Sequence, residues 1–228
     1  MKKATLDAQS SGLGHEVYME LRPQITVVEF DEEPVNKYLE KLDAIVDRYG
    51  SQHPILVQID SFGGSIYGLA ALYERLVSLQ YPIVTYTSSK AMSAGAILLS
   101  SAGTKGLRVA SPNSSIIIHE IQMGAIGDIK EVENEVEFAK IENERWMRIL
   151  AQSMGLKGAD DIRNLIAVNK GRELYLTAQQ AKAIGVIDEI HYLSMNQVNY
   201  WEISKDNRAV RKVVTKAEEP KKSQKKKS

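Results

Sequence analysis

The chain has 228 residues, no cysteine, 43% hydrophobic residues and a formal net charge of zero. This length suits one compact domain, and the absence of thiols excludes disulfides, a cysteine nucleophile and cysteine-ligated zinc. No apolar run approaches about 18 residues, so we expect no membrane span. A reducing cytoplasm is the expected location.

The neutral total conceals a basic C-terminal segment. Residues 205–228 contain ten Lys or Arg and three Asp or Glu, so this segment carries +7 and residues 1–204 carry −7. We predict a disordered tail over 205–228, a folded domain over 17–204 and a flexible segment over 1–16. A lysine-rich tail can bind nucleic acid or an acidic partner, and a tail that only aids solubility or is a remnant is an equal alternative. No aromatic residue is interleaved with the last lysines, which argues against nucleic-acid binding.

Predicted strands and helices alternate along the chain, which is typical of an α/β fold. Apolar, β-branched runs predict strands at 17–21, 25–30, 55–59, 83–87, 107–110, 115–119 and 173–176. Amphipathic or small apolar patterns predict helices at 34–49, 67–79, 94–102, 129–154 and 178–183, the last one capped by Thr177, with a helix-loop segment at 156–169.

Ser93 lies between the strand at 83–87 and the helix at 94–102. The free N–H groups of a helix N-terminus can stabilise negative charge that develops beside a serine hydroxyl, as in an oxyanion hole. Serine is also a preferred helix N-cap. The sequence Ala-Met-Ser-Ala-Gly lacks the first glycine of a hydrolase elbow, so alone it leaves both interpretations open.

Two further features of the sequence are candidates for a role in binding or catalysis. Gly63 and Gly64 follow a strand and permit a close approach of backbone to a ligand, but the motifs of a phosphate loop are missing. A tight turn without a ligand is the alternative. His119 ends a separate strand, where neutral imidazole could act as general base for a serine hydroxyl or could be purely structural.

Several segments in a specific order carry a resemblance to a known family. They are Asp60-Ser61-Phe62-Gly63-Gly64-Ser65, Ala91-Met92-Ser93-Ala94-Gly95, Pro112-Asn113-Ser114 with Ile117-Ile118-His119, and Tyr175-Leu176-Thr177-Ala178 followed by Ala181 and Ile184-Gly185-Val186-Ile187-Asp188. Over residues 17–191 the chain resembles the proteolytic subunit of the Clp protease, a serine peptidase. The resemblance implies an α/β fold of the crotonase-like ββα-spiral type with a long protruding handle helix.

The resemblance also implies catalytic roles. Ser93 would be the nucleophile and His119 the general base, and the N–H groups of Gly64 and Ala94 would form the oxyanion hole. The family's third triad member is an aspartate, and Glu173 occupies that position here. Glutamate can accept the imidazole N–H, but its extra methylene must be accommodated. Asp160 and Asp161 lie close by in sequence at a helix start, where carboxylates usually stabilise the helix dipole.

An extended peptide would bind as an added strand, and the reaction needs no metal. The implied substrate-binding residues are Gly63, Ser65, Ile66, Gln122, Met123 and Gly124. Family members form heptameric rings that stack as a tetradecamer and receive unfolded polypeptides from an AAA+ unfoldase of the Clp type. No nucleotide site is found in this chain, so no cofactor is expected, and ATP would be used by the partner.

This chain departs from the family pattern beside the histidine and near the end of the domain. Glu120-Ile121 replaces the usual Gln-Pro after the histidine, which could alter the start of the peptide-binding segment. Gly171 replaces an acidic residue before Arg172, so ring pairing could differ.

Three alternatives remain from the sequence. A crotonase-like acyl-CoA hydratase or isomerase shares the fold but would use carboxylates as acid and base. A serine–lysine dyad through Lys90 or Lys105 would leave His119 without a role. A catalytically impaired ring subunit or phage-type scaffold would explain Glu173 as a decaying triad.

Overall fold

The computed structural model describes residues 24–49, 54–79, 81–168, 172–193, 199–203 and 209–213, with backbone alone in the last two ranges. The segment predicted to be flexible at 1–16 and the strand predicted at 17–21 lie outside these residues. The lysine run at 221–227 also lies outside them.

Helices and strands alternate through most of the described chain. The helices are α1 (Glu32–Tyr49), α2 (Ile66–Ser78), α3 (Ala94–Ser101), α4 (Ile129–Met154), α5 (Ala159–Val168) and α6 (Ala178–Ala183). The strands are β1 (Gln24–Val27), β2 (Ile55–Ile59), β3 (Ile83–Thr87), β4 (Lys90–Met92), β5 (Arg108–Ala110), β6 (Ser115–His119), β7 (Glu173–Thr177), β8 (Glu189–Ile190), β9 (Asn199–Ile203) and β10 (Ala209–Val213). The predicted α/β class is confirmed.

A five-stranded parallel sheet forms the centre of the fold, in the order β1-β2-β3-β5-β8. Parallel neighbours need a crossover connection, and α1, α2 and α3 supply the first three. All five residues of β3 are buried, as expected for a strand covered on both faces. Because β2 and β3 are parallel, their carboxyl ends lie at the same edge of the sheet, which is where ligands bind in sheets of this type.

A second sheet brings the candidate site together. It has the order β4-β6-β7, with β4 parallel and β7 antiparallel to β6. An isolated bridge joins Ser61 to Ala91, so the chain that leaves β2 pairs with β4. The three residues of β4 were not predicted as a strand, because so short a segment gains its structure from pairing rather than from its own pattern. Through these pairings the chain after β2, the chain after β4 and the end of β6 converge.

Helices α3 and α4 form much of the packing beneath this edge. Every residue of α3 from Ala94 to Ser100 is buried, as its small apolar sequence predicts. Helix α4 has 26 residues and is therefore about 39 Å long. Its buried side chains all lie in its second half, from Glu142 to Met154, whereas Ile129 and Ile141 are exposed. This agrees with a long helix that packs against the domain only by its second half.

The C-terminal part of the described chain contains a hairpin that the sequence did not predict. Strands β9 and β10 pair antiparallel, with Asn199 opposite Val213. The predicted boundary at residue 205 falls between these strands, so the segment predicted as a disordered tail includes one strand. Neither segment alone has the alternation that predicts a strand, and each satisfies its backbone groups through the other.

A buried ion pair ties the central sheet to α4. The side chain of Arg108 is 2% exposed, and its Nε and Nη2 donate to the two carboxylate oxygens of Asp188 at 2.7 and 2.6 Å. Its Nη1 donates to the carbonyl of Ser153 in α4 at 2.9 Å. Burial raises the pKa of Asp188, but hydrogen bonds and charge from Arg108 and the N–H of Gly106 outweigh burial and lower it.

Candidate active site

Ser93 has an unusual backbone conformation. Its φ is 54° and its ψ is −122°, and among the described residues it is the only non-glycine with a positive φ. Its side chain makes no capping hydrogen bond, although the residue stands at the N-cap position of α3. A capping serine takes extended backbone angles and accepts from the first turn, so the capping interpretation is wrong. A strained serine at a strand-to-helix turn is the geometry of a nucleophile elbow.

Pairing with β6 and contact with the glycine turn hold this strained serine in place. The N–H of Ser93 donates to the carbonyl of Ile117 at 2.8 Å. Gly63 and Gly64 have φ values of 108° and 146°, which other residues rarely adopt. A Cβ added at Gly63 would lie 2.6 Å from Cβ and 3.1 Å from Oγ of Ser93. The turn after β2 is therefore packed directly against the candidate nucleophile.

If Ser93 is the nucleophile that the resemblance implies, Gly63→Ala should lower kcat for a short peptide by about 100-fold, because the new methyl group displaces Ser93 from its attacking position. The matched control is Gly158→Ala at the start of α5, since a Cβ there would meet no atom within 4 Å. The measurement is steady-state peptidase kinetics on the assembled protein. Equal kcat in both variants would contradict the contact described at Gly63.

Two backbone N–H groups beside Ser93 are available to a ligand. Ala94 begins α3, so its N–H has no acceptor within the helix. Neither this N–H nor that of Gly64 donates to another residue in the described part of the chain. Gly64 and Ala94 line the same cleft as Ser93. The arrangement can therefore offer two donors to an oxygen that gains negative charge in this cleft.

The cleft beside Ser93 has a volume of about 260 Å³ and is lined by both apolar and polar groups. Helix α4 contributes Trp146 and Met147, and α2 contributes Ile66 and Leu69. The remaining lining residues are Phe62, Gly64, Ser93, Ala94, Ile97, His119, Glu120, Ile121 and Gln122. A cleft of this size and lining can accept an apolar side chain next to the serine hydroxyl.

His119 lies in this cleft with a defined hydrogen bond at one ring nitrogen. Its Nδ1 is 2.6 Å from the main-chain carbonyl oxygen of Glu120. A carbonyl oxygen can only accept, so Nδ1 carries the hydrogen and Nε2 of the neutral ring is free to take a proton. That tautomer is the one that a general base for serine requires. No hydrogen bond joins His119 to Ser93 in the described structure, although both line the cleft.

Glu173 lies next to His119 across the β6–β7 strand pair, but its side chain hydrogen-bonds to other residues. The two residues are directly opposite in the β6–β7 register. The Glu173 carboxylate accepts from the hydroxyl of Tyr175 and from Nε2 of Gln122, the latter at 3.5 Å. The hydrogen bond to this carboxylate raises the pKa of Tyr175. Ser93 and His119 therefore meet in one cleft, whereas the Glu173 carboxylate is not hydrogen-bonded to His119.

A second, larger groove continues from this cleft. It has a volume of about 530 Å³ and lies between the chain after Gly64 and the chain after Ile121, and the first half of α4 lines it with Asn134, Glu135, Phe138 and Ala139. Of the predicted substrate-binding residues, it is lined by Ser65, Ile66, Gln122 and Met123. The other two lie apart from it. Gly63 contacts Ser93, and a Cβ at Gly124 would meet nothing within 4 Å.

The comparisons with known proteins agree on one family. The family model described as Clp protease matches residues 17–193. The chain belongs to the Clp protease family. It is 30% identical over 163 residues to the ATP-dependent Clp protease proteolytic subunit 1 of Rhodococcus jostii (strain RHA1), covering 72% of this chain and 71% of that one. It is 33% identical over 139 residues to the ATP-dependent Clp protease proteolytic subunit 2 of Corynebacterium jeikeium (strain K411), covering 60% of this chain and 63% of that one.

Membership in the Clp protease family confirms the resemblance, the fold class and the enzyme class predicted from the sequence, a serine peptidase. It also counts against an acyl-CoA hydratase or isomerase. Among the described residues no cluster of His, Asp and Glu could hold a metal ion. Nor do the described helices include one with the length and apolarity that a bilayer crossing requires.

The lysines of the alternative dyad are engaged or distant. Lys90 Nζ lies 2.6 Å from the carboxylate of Asp60 and 4.5 Å from the centroid of the Phe62 ring. The ammonium of Lys90 therefore contacts a carboxylate and an aromatic ring rather than the hydroxyl of Ser93. Lys105 lies near Gly155 at the C-terminal end of α4. The geometry does not favour a serine–lysine dyad in this member of the Clp protease family.

The two aspartates at the start of α5 have structural partners. Asp160 pairs with Arg163 at 2.7 Å, and the Asp161 carboxylate accepts from the N–H groups of Lys157 and Gly158. Both therefore occupy the first-turn positions expected of carboxylates that stabilise a helix N-terminus.

The structure also shows a polar network beside the cleft that the sequence did not predict. Arg163 contacts the carboxylates of Glu120, Glu144 and Asp160 at 3.0, 2.6 and 2.7 Å. Asn143 contacts both the side chain of Glu120 and the following peptide group. The one sequence signal was the Glu-Ile pair in place of the family's Gln-Pro after His119.

Proposed function

We propose that this chain is the peptide-cleaving subunit of an ATP-dependent Clp-type protease, and that it hydrolyses unfolded polypeptides at Ser93. The observation that carries this proposal is the strained Ser93 in a cleft, next to His119 and two free N–H groups. A serine without a capping bond, in a costly backbone conformation, is explained by chemistry rather than by stability.

The proposed reaction follows from these positions. An extended peptide lies in the groove between the chain after Gly64 and the chain after Ile121, where it pairs as an added strand. Ser93 Oγ attacks the scissile carbonyl carbon while Nε2 of His119 takes the hydroxyl proton. The N–H groups of Gly64 and Ala94 donate to the resulting oxyanion. His119 returns the proton to the leaving amine, and water then hydrolyses the acyl-enzyme by the same steps.

Glu173 is the proposed third member of the triad. Because directly opposite residues of antiparallel strands project to the same face, its carboxylate can reach the imidazole once it leaves Tyr175 and Gln122. Its present contacts favour a second candidate function, a catalytically impaired ring subunit or scaffold. In that case the change from aspartate to glutamate would have cost the triad its bond between carboxylate and imidazole.

The proposed assembly is a homo-oligomer of heptameric rings stacked as a tetradecamer in the cytoplasm, with a Clp-type AAA+ unfoldase as partner. Exposed apolar residues on the first half of α4, Ile129, Val136 and Ile141, support an interface between subunits along this helix. The names of the two relatives support the dependence on ATP. The partner would hydrolyse the ATP, and this chain would need no cofactor.

The test is labelling of the purified, assembled protein by a fluorophosphonate, with peptide mapping of the adduct. We expect one adduct at Ser93, and we expect Glu173→Ala to slow labelling by about 10-fold or more, since the imidazole loses a stabilising carboxylate. If an assembled ring of confirmed stoichiometry is not labelled, the proposed function is wrong and the impaired subunit is favoured. Equal labelling rates for the parent and Glu173→Ala would show that Glu173 is not a member of the triad.

A further inference from the structure

The peptide group between Glu120 and Ile121 is held at both of its polar atoms. Its carbonyl oxygen accepts from Nδ1 of His119 at 2.6 Å, and its N–H donates to Oδ1 of Asn143 at 2.9 Å. A peptide group is planar, with its C=O and N–H pointing in opposite directions. A side chain that fixes the N–H therefore also fixes the direction of the carbonyl that meets the imidazole.

The side chain of Glu120 anchors the same segment to two helices. Its Oε1 accepts from Nδ2 of Asn143 in α4 at 2.8 Å and from Nε of Arg163 in α5 at 3.0 Å. The hydrogen bond from Asn143, followed by that from Arg163, lowers the pKa of Glu120 despite partial burial, so the carboxylate is ionised at neutral pH. Arg163 is itself held by Glu144. Asn143 thus contacts both the side chain and the backbone of this segment.

We propose that the carbonyl of Glu120 is a second acceptor for the Nδ1 hydrogen of His119, and that Asn143 is the positioning residue that holds this carbonyl in place. The inference deepens the proposed function, because it rests on His119 as general base. While the Glu173 carboxylate is bound to Tyr175, the Glu120 carbonyl maintains the tautomer that leaves Nε2 unprotonated. The chain therefore has two acceptors for one imidazole hydrogen, one of them on the backbone.

The first test compares Asn143→Ala, Glu173→Ala and the double variant in steady-state peptide hydrolysis. Asn143→Ala should lower kcat by about 10-fold and leave KM within about twofold, since the imidazole of His119 is misaligned but the peptide groove is intact. The double variant should lose more than the product of the two single losses, because each single variant retains one acceptor. Asn164→Ala, at an exposed position of α5, is the matched control and should leave kcat unchanged.

The second test does not depend on activity. Solid-state ¹⁵N NMR of histidine-labelled Ser93→Ala protein, with His119→Gln to assign the signal, reports which ring nitrogen carries the hydrogen. We expect the Nδ1–H tautomer of His119 in this background, and a mixture of tautomers when Asn143→Ala is added. If the fluorophosphonate does not label Ser93 but the spectrum changes with Asn143→Ala, the hydrogen bond between His119 and the Glu120 carbonyl is supported and the proposed peptide hydrolysis is not.

Two results would overturn the inference. One is an assembled Asn143→Ala ring with unchanged kcat and an unchanged ¹⁵N spectrum. The other is a loss of activity in proportion to lost assembly, with the remaining rings as active as the parent, which would make Asn143 purely structural. If Asn143→Ala does not fold, Glu120→Ala removes the side-chain anchor alone and retains the bond from Ile121 N–H, so it should change both readouts in the same direction but less.

Discussion

Ser93→Ala should lower kcat for a short peptide by about 10⁴-fold or more, because the hydroxyl is the only proposed nucleophile in the cleft. Residual hydrolysis would come from the N–H groups of Gly64 and Ala94 acting on a bound peptide without covalent catalysis. Binding should persist, since the groove is formed by other residues. The measurement is kcat and KM for a fluorogenic peptide, with the inactive variant also used to measure peptide affinity.

Assembly serves as the control for this experiment. Alanine removes one oxygen that makes no hydrogen bond to a described residue. It also retains a Cβ, so the variant should form the same oligomer as the parent by sedimentation. A Ser93→Ala protein that cleaves peptides at the parent rate would refute the role of Ser93. A parent as inactive as the variant would instead support the impaired ring subunit.

Asp188→Ala should lower the free energy of unfolding by about 3–5 kcal/mol, because it leaves the guanidinium of Arg108 buried without its counter-charge. The Arg108 side chain is 2% exposed, so water cannot replace the lost carboxylate. The N–H of Gly106 would lose its acceptor as well. Urea denaturation at fixed protomer concentration measures the change.

A surface ion pair provides the matched control for Asp188. Asp43 pairs with Arg75 at 2.5 Å, but the two side chains are 59% and 35% exposed. Asp43→Ala should therefore cost no more than about 1 kcal/mol. Equal losses in the two variants would show that burial of Arg108 does not determine the energy of its pair with Asp188.

The carboxylate of Asp188 should also make the free energy of unfolding fall at acid pH. Because folding lowers the pKa of Asp188, its contribution is present above its unfolded pKa of about 3.9 and is lost as the pH falls through the lower folded value. The urea midpoint of the parent should therefore fall more steeply below about pH 4 than that of Asp188→Asn. Parallel curves for the two proteins would contradict the lowered pKa.

Elements with a strong local pattern were predictable at nearly their observed bounds. The apolar runs at 55–59 and 83–87 are strands with the predicted limits. The bounds of α4 also match, since Asp128 caps its first turn with a capping box and Gly155 ends it in a left-handed conformation. Strand β4 and the β9–β10 hairpin were missed, because each depends on pairing with a distant or following segment.

The candidate site was predictable in its residues but not in its contacts. Ser93 had two interpretations in the sequence, and the choice between them depended on a backbone angle set by pairing with Ile117 and by contact with Gly63. The register that places Glu173 opposite His119 follows from sheet pairing, but the direction of the carboxylate follows from Tyr175 and Gln122. No spacing in the sequence indicated these side-chain contacts.

The sequence by itself determined the α/β class, the family and the candidate nucleophile and base, because local propensity and motif order are properties of neighbouring residues. Only the tertiary structure decided that Ser93 is strained rather than capping. It also decided that Asn143 and Arg163 lie beside the segment after His119. The physical reason is that hydrogen bonds and burial act between residues that folding brings together from distant parts of the chain, and local sequence does not encode their final distances.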